Sequence, residues 1–238
     1  MLPWTAEELT FDATRFSGVA RLFPLPDLVM YPHVMQPLHI FEPRYREMLN
    51  DALDSDGIIA MSILAPGWEA NYEGRPRLMP QVCLGKVVTH QRLDNGHYNI
   101  MLLGMRRARM VREVPNQRQF RQAEVELLDE TYPDAGEGER AEIQSELCRR
   151  FQQALPLPAG AKPQGPVQEL LASELPLAVL TDLASFALPL EPGLKCRLLA
   201  ECNVDRRAQW LLEALGTPWK GSAAAPANSG FPPRFSTN

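Results

Sequence analysis

His33, His39 and Glu42 are the one close grouping in this chain whose side chains suit a divalent metal. If residues 33 to 39 are extended, six steps of about 3.3 Å hold the two imidazoles about 20 Å apart, beyond the reach of one ion. They are read as ordinary strand and turn histidines, and no metal site is expected. His90 and His97 fall in a β pattern with no evident acid or nucleophile partner. Cys83, Cys148, Cys196 and Cys202 lack the C-x2-C spacing of a zinc site and are read as reduced, mostly buried thiols. No G-x4-G-K-[ST] occurs, and Gly85-Lys86 lacks the glycine-rich turn and helix that would cradle a phosphate. No G-x-S-x-G occurs either, so there is no nucleophile elbow. ATP hydrolysis and peptide cleavage by this chain alone are not expected, and no cofactor is implied. What remains is charge. Arg106, Arg107, Arg109, Arg112, Arg118 and Arg121 form one basic concentration, interrupted by Glu113.

The composition bounds what those arginines mean. The chain has 238 residues, a formal net charge of -5, a pI near 5.5 and a 45% hydrophobic fraction. That length allows one large domain or two small ones with a sizeable core. A net negative chain is a poor generic binder of nucleic acid or anionic membrane. No apolar run approaches the roughly 18 residues a membrane span needs, and the first residues show no basic-then-apolar secretory pattern. The expectation is a soluble, cytoplasmic protein.

The elements follow from local pattern. Residues 22 to 25 and 34 to 41 read as two short strands, and Pro32 and Pro37 place the second at an edge or a bulge. Pro43 after Glu42 starts a helix, because its missing N–H has no partner there anyway. Tyr45, Met48, Leu49, Ala52 and Leu53 then follow at helical spacing, and Gly57 supplies a left-handed stop. Residues 57 to 64 read as a buried strand, and 65 to 80 as a loop that leaves Trp68, Tyr72 and Met79 in need of a packing surface or a partner. Asn95-Gly96 predicts a hairpin with a two-residue type I′ turn, setting Leu93 opposite Tyr98 and Gln91 opposite Ile100. The run Ile100 to Leu103 is apolar on both faces, which predicts a central strand. Residues 120 to 129 close the β region. Asp134 and Glu137 resemble a capping box before a helix over 136 to 155 with a stripe of Ile143, Leu147, Phe151 and Leu155. After a Pro- and Gly-rich loop at 156 to 166, short helices are expected at 166 to 173, 176 to 187, 192 to 201 and 203 to 215. The tail is expected to be disordered.

The run LFPLPDLVMYPH followed by QPLHIFEPRYREML resembles the opening of the LON domain, the amino-terminal substrate-binding region of Lon-type ATP-dependent proteases. The likeness continues through Gly85, Asn95-Gly96, Tyr98, Gly104, Arg107 and the AEVELL run at 123 to 128. It extends into Pro189-Leu190, Lys195, Leu198-Leu199, Val204, Arg206-Arg207 and Leu211-Leu212. It covers roughly residues 20 to 216. Pattern and resemblance together give an α+β protein: a leader over 1–17, a PUA-like β pseudo-barrel of about six strands over 18–130, a helical bundle over 131–216, and a tail over 217–238. The resemblance implies non-enzymatic recognition of polypeptide, either unfolded segments or a specific protein partner. Apolar surface between the two parts would carry it, with Tyr31, Phe41, Trp68, Tyr72 and Met79 as candidates. The alternative is a PUA-like RNA-binding module using Arg106, Arg107, Arg109 and Arg112. Against it, no aromatic alternates with these arginines to stack bases, so pairing with the chain's excess carboxylates is the preferred reading.

Overall fold

Pro43 stands at the first turn of helix α1 (Pro43–Leu53), with Glu42 in extended conformation before it at φ -63° and ψ 136°. Tyr45, Met48, Leu49 and Ala52 form the buried face of α1. The Gly57 N–H donates to the Ala52 carbonyl at 2.8 Å, and its φ of 70° turns the chain into the next strand. The computed structural model describes residues 10–72, 74–115, 117–132, 137–155 and 175–216. In it the chain divides into two compact units, one running up to Leu128 and the other starting at Asp129.

The first unit is a mixed sheet of six strands, β1 (Val19–Leu25), β2 (Met35–Ile40), β3 (Ile58–Leu64), β4 (Leu78–Arg92), β5 (Tyr98–Val114) and β6 (Arg121–Leu127). The order is β2, β5, β4, β3, β1, β6, and a further β5 to β6 pairing closes the sheet on itself. Only β1 and β3 run parallel. Closure depends on the length of β5. Its first part pairs with β2 from Leu103 to Tyr98, and its later part pairs with β6 from Ala108 to Val114. The run Ile100 to Leu103 therefore has a partner on each side, as its two apolar faces require. Pro37 lies on β2, which pairs with β5 alone and so spends no ladder bond on the missing N–H. Alternate residues of the closed strands fill the interior: Ala20, Leu22, Ala60, Val82, Leu84 and Ala108 are buried there, with Phe11 and Phe16 packed against them. Phe23 points the other way, and its ring lies 4.5 Å from that of Tyr45 on α1.

The Arg21 side chain locks the end of α1 to β1. Its Nε donates to Asp51 at 2.5 Å, Nη1 to Asp56 at 2.7 Å and Nη2 to the Ser55 hydroxyl at 2.6 Å. The hairpin differs from the expected one. Arg92 pairs with Tyr98 and His90 with Ile100, while Leu93 N–H bonds the His97 carbonyl and Gly96 N–H bonds the Leu93 carbonyl, each at 2.9 Å. The loop is thus Asp94-Asn95-Gly96, three residues and not two. Gly96 alone has a positive φ, 78°, while Asn95 does not. A type I turn followed by one left-handed glycine meets that condition, whereas type I′ needs two positive angles.

In the second unit, helices α2 (Glu137–Ala154), α3 (Leu177–Ala187), α4 (Pro192–Ala200) and α5 (Val204–Gly216) match four of the helical patterns in the sequence. Leu147 and Phe151 of α2 are buried, and α3 buries polar Thr181, Asp182 and Ser185 along with its apolar residues. The Ser185 hydroxyl donates to the Thr181 carbonyl at 2.7 Å, while Thr181 and Asp182 meet Arg207 of α5, which has no exposed surface. Its Nη2 lies 2.5 Å from Glu130 and 3.9 Å from Asp182. Its Nε donates to Thr181 Oγ1 at 3.2 Å and its Nη1 to the Glu201 carbonyl at 3.1 Å. The expected capping box at Asp134, the loop at 156 to 166, the helix at 166 to 173 and the tail from 217 lie outside the described residues.

Candidate functional site

The loop between β3 and β4 is tied at its ends, where the Ala65 N–H donates to the Arg77 carbonyl at 2.8 Å. Gly67, at φ 86°, opens a single 3-10 turn over Trp68–Asn71. That turn sets the half-buried Trp68 and Tyr72 rings edge to face, 5.5 Å apart. A polar lock holds the pair to the start of α1. The Tyr72 hydroxyl donates to Glu42 Oε1 at 3.2 Å, and Arg44 grips Glu42 Oε2 from Nε at 2.9 Å and Nη2 at 2.8 Å. The Arg44 guanidinium also lies 4.6 Å from the Tyr45 ring centroid and 5.4 Å from that of Tyr72. Burial, and after it the Glu42 carboxylate, raises the Tyr72 pKa, so the hydroxyl keeps the proton it donates. The result is an aromatic pair presented on a fixed base, able to bury apolar side chains but equipped with no nucleophile.

The other residues singled out from the sequence fall elsewhere. Met79 is half-buried at the start of β4, directly after this loop. Phe41 packs with His39 at 5.9 Å and His97 at 6.0 Å between ring centroids. Tyr31 is a correction. It has no exposed surface, because the segment before β2 lies directly on β5, so it has no side-chain surface to offer a partner.

The arginine concentration does not make a basic face. Arg107 is buried at 1% exposure, Arg106 is half-buried, Arg109 pairs with Glu126 at 2.5 Å and Arg112 pairs with Glu124, both across the strands to β6. A phosphate backbone would have to displace those carboxylates, and exposed pairs in a ladder present alternating charge. His39 does meet His97, which sequence spacing did not reveal: Nε2 lies 3.3 Å from His97 Nδ1 while Nδ1 lies 2.8 Å from Asn99 Oδ1. Among the described residues no three His, Cys, Asp or Glu side chains are placed to hold a metal ion.

Against known families, residues 19–217 match the ATP-dependent protease La (LON) substrate-binding domain. The chain is 31% identical over 195 residues to Lon protease 2 of Desulfotalea psychrophila, which covers 82% of this chain and 24% of that protein. It is 27% identical over 111 residues to Lon protease 2 of Syntrophobacter fumaroxidans, covering 46% of this chain and 14% of that protein. It therefore spans a quarter or less of these relatives. In fold it resembles a Lon N-terminal domain protein from Xanthomonas campestris, with a TM-score of 0.60 at 21% identity over 82% of this chain and 97% of that one. It also resembles the N-terminal domain of the Mycobacterium avium complex Lon protease, with a TM-score of 0.63 at 15% identity over 84% and 99%.

Proposed function

This chain belongs to the LON substrate-binding domain family, and on that premise we propose that it recognises polypeptide without processing it. The observation that carries the reading is the match of residues 19–217 to a substrate-binding domain alone, in 238 residues that contain neither a P-loop nor a nucleophile elbow. The occupant is an unfolded apolar segment or one specific protein partner. The β unit over 18–130 supplies the contact through Trp68 and Tyr72, with Met79 and Phe41 as further apolar candidates on the same unit, and the helical unit over 131–216 is a separate part. A cytoplasmic location belongs to the same reading.

Affinity comes mainly from apolar burial at about 25 cal/mol per Å². It is of micromolar class, about -8 kcal/mol. Trp68→Ala or Tyr72→Ala weakens binding by about tenfold, as loss of an aromatic anchor does, with the melting curve of the parent retained. Fluorescence anisotropy with a labelled unfolded apolar peptide measures this. If both variants bind as the parent does, the loop is structural and the site lies elsewhere. If the parent holds no unfolded chain but does hold one folded protein, recognition of a specific partner stands and general capture does not. The purified chain is expected to turn over neither ATP nor casein-like unfolded protein; turnover abolished by a point mutation within it would reveal a missed site.

A further inference from the structure

Beside the Trp68–Tyr72 pair lies a pocket between β1, the start of α1 and the segment leading into β6. Among the described residues every charged side chain lining it is an arginine: Arg44, Arg75, Arg118 and Arg121. Its remaining wall includes Leu22, Leu64 and Phe120. We propose that this pocket binds the α-carboxylate of a polypeptide chain end whose last residue is apolar. The inference rests on the polypeptide-recognition reading above and names the part of the polypeptide that enters.

Three of the arginines are tied to carboxylates by two or more contacts, and Arg75 by one. Arg44 directs Nε and Nη2 to Glu42 and lies against two tyrosine rings, as described. Arg121 directs Nε at 3.0 Å and Nη2 to Glu113, and Nη1 at 2.8 Å to the Pro76 carbonyl. Arg121 hydrogen bonding holds the Glu113 carboxyl below its ordinary pKa, so the clamp stays ionised. The supporting carboxylates therefore stand behind the guanidinium groups and do not line the space. Arg75 touches Glu113 by one contact of 3.2 Å with its side chain 60% exposed. Arg118 is held by two carboxylates, Asp51 at 2.9 Å and Glu47 at 3.8 Å, with its own side chain 53% exposed. An exposed pair such as Arg75–Glu113 costs little to rearrange, so Arg75 can swing onto an anion that enters beside Arg44.

Guanidinium forks suit planar carboxylates bidentately. The apolar wall narrows the source. A chain end carries a carboxylate and a side chain on one carbon, so both enter one small pocket while a single strand of backbone leaves. An internal Asp or Glu brings a carboxylate but must route main chain out in two directions. Capture of a terminal carboxylate is an established recognition mode.

The test titrates the full chain calorimetrically with three unstructured apolar peptides. One ends in leucine as the free acid, one is its C-terminal amide, and one is an amide with an internal glutamate. The acid is expected to bind about tenfold tighter than its amide, the size of a charge-assisted contact. In Arg75→Gln and in Arg44→Gln the acid-to-amide difference shrinks to within about twofold, and added salt reduces it in the parent. Using Arg75, whose side chain is exposed, guards against a variant that fails to fold. Equal binding of acid and amide by the parent, still lost in Trp68→Ala, overturns this inference and leaves the polypeptide reading intact. Binding of the internal-glutamate amide as tightly as the acid overturns the chain-end assignment. No binding of any peptide overturns the pocket and general capture together.

Discussion

Arg207→Ala is expected to destabilise the helical unit by about 3 to 5 kcal/mol, the cost of removing one member of a buried ion pair. The guanidinium has no exposed surface and stands between Glu130, at 2.5 Å, and Asp182, at 3.9 Å and itself fully buried. Truncation takes the guanidinium away from both carboxylates and removes the donors to Thr181 and to the Glu201 carbonyl. Arg206 is the control. It is one position away, 58% exposed at the side chain, and paired with Glu201 at 3.3 Å, so Arg206→Ala changes stability by about 0.5 kcal/mol or less. Because the chain has two units, a single unfolding midpoint is a poor measure. Hydrogen exchange of the α3 and α5 amides reads the effect locally. Equal protection in the two variants would show that the buried arginine is not what holds these helices together.

Gly104→Ala should be nearly as damaging to the β unit, about 3 kcal/mol, the upper end of ordinary overpacking. An added Cβ would sit 2.0 Å from the Tyr31 carbonyl oxygen and 3.2 Å from Pro32 Cα, so backbone and not a flexible side chain has to move. The approach is needed because Gly104 exchanges two main-chain bonds with this segment, receiving the His33 N–H at 2.9 Å and giving its own to Val34 at 2.8 Å. Those bonds set the start of β2. Gly193→Ala is the matched control, with nothing within 4 Å of the new atom. Hydrogen exchange of the β2 and β5 amides as slow in Gly104→Ala as in Gly193→Ala would contradict the packing argument.

The same contact explains why the burial of Tyr31 is not legible in the sequence. Nothing local to Tyr31 signals its burial, and only a glycine more than seventy positions later lets the backbone lie on β5 with the ring buried. Local signals served well where local chemistry decides. Pro43 marked the start of α1, the two-faced run at Ile100 to Leu103 marked a central strand, and Pro37 marked an edge. Asn95-Gly96 located a hairpin but not its register, because the dipeptide fits a two-residue or a three-residue loop. Here the Asn95 side chain bonds the His97 N–H at 3.0 Å and leaves the one positive φ to Gly96. The arginines of the proposed carboxylate pocket gave no signal as a set. Arg44, Arg75 and the Arg118–Arg121 segment lie far apart in the chain and are brought together where β1 pairs with β6. The basic concentration visible in the sequence falls mostly on β5, where the ladder to β6 spends Arg109 and Arg112 on Glu126 and Glu124.

Hydrogen exchange of the full chain, with and without a saturating unfolded apolar peptide that ends in a free carboxylate, tests polypeptide recognition at this loop most directly. The account predicts slowed exchange over Ala65–Arg77 and the first turn of α1, with β5 and β6 beyond Arg121 unchanged. Saturation binding that leaves exchange across Ala65–Arg77 unaltered, or protects only the ladder around Arg109 and Arg112, would contradict it.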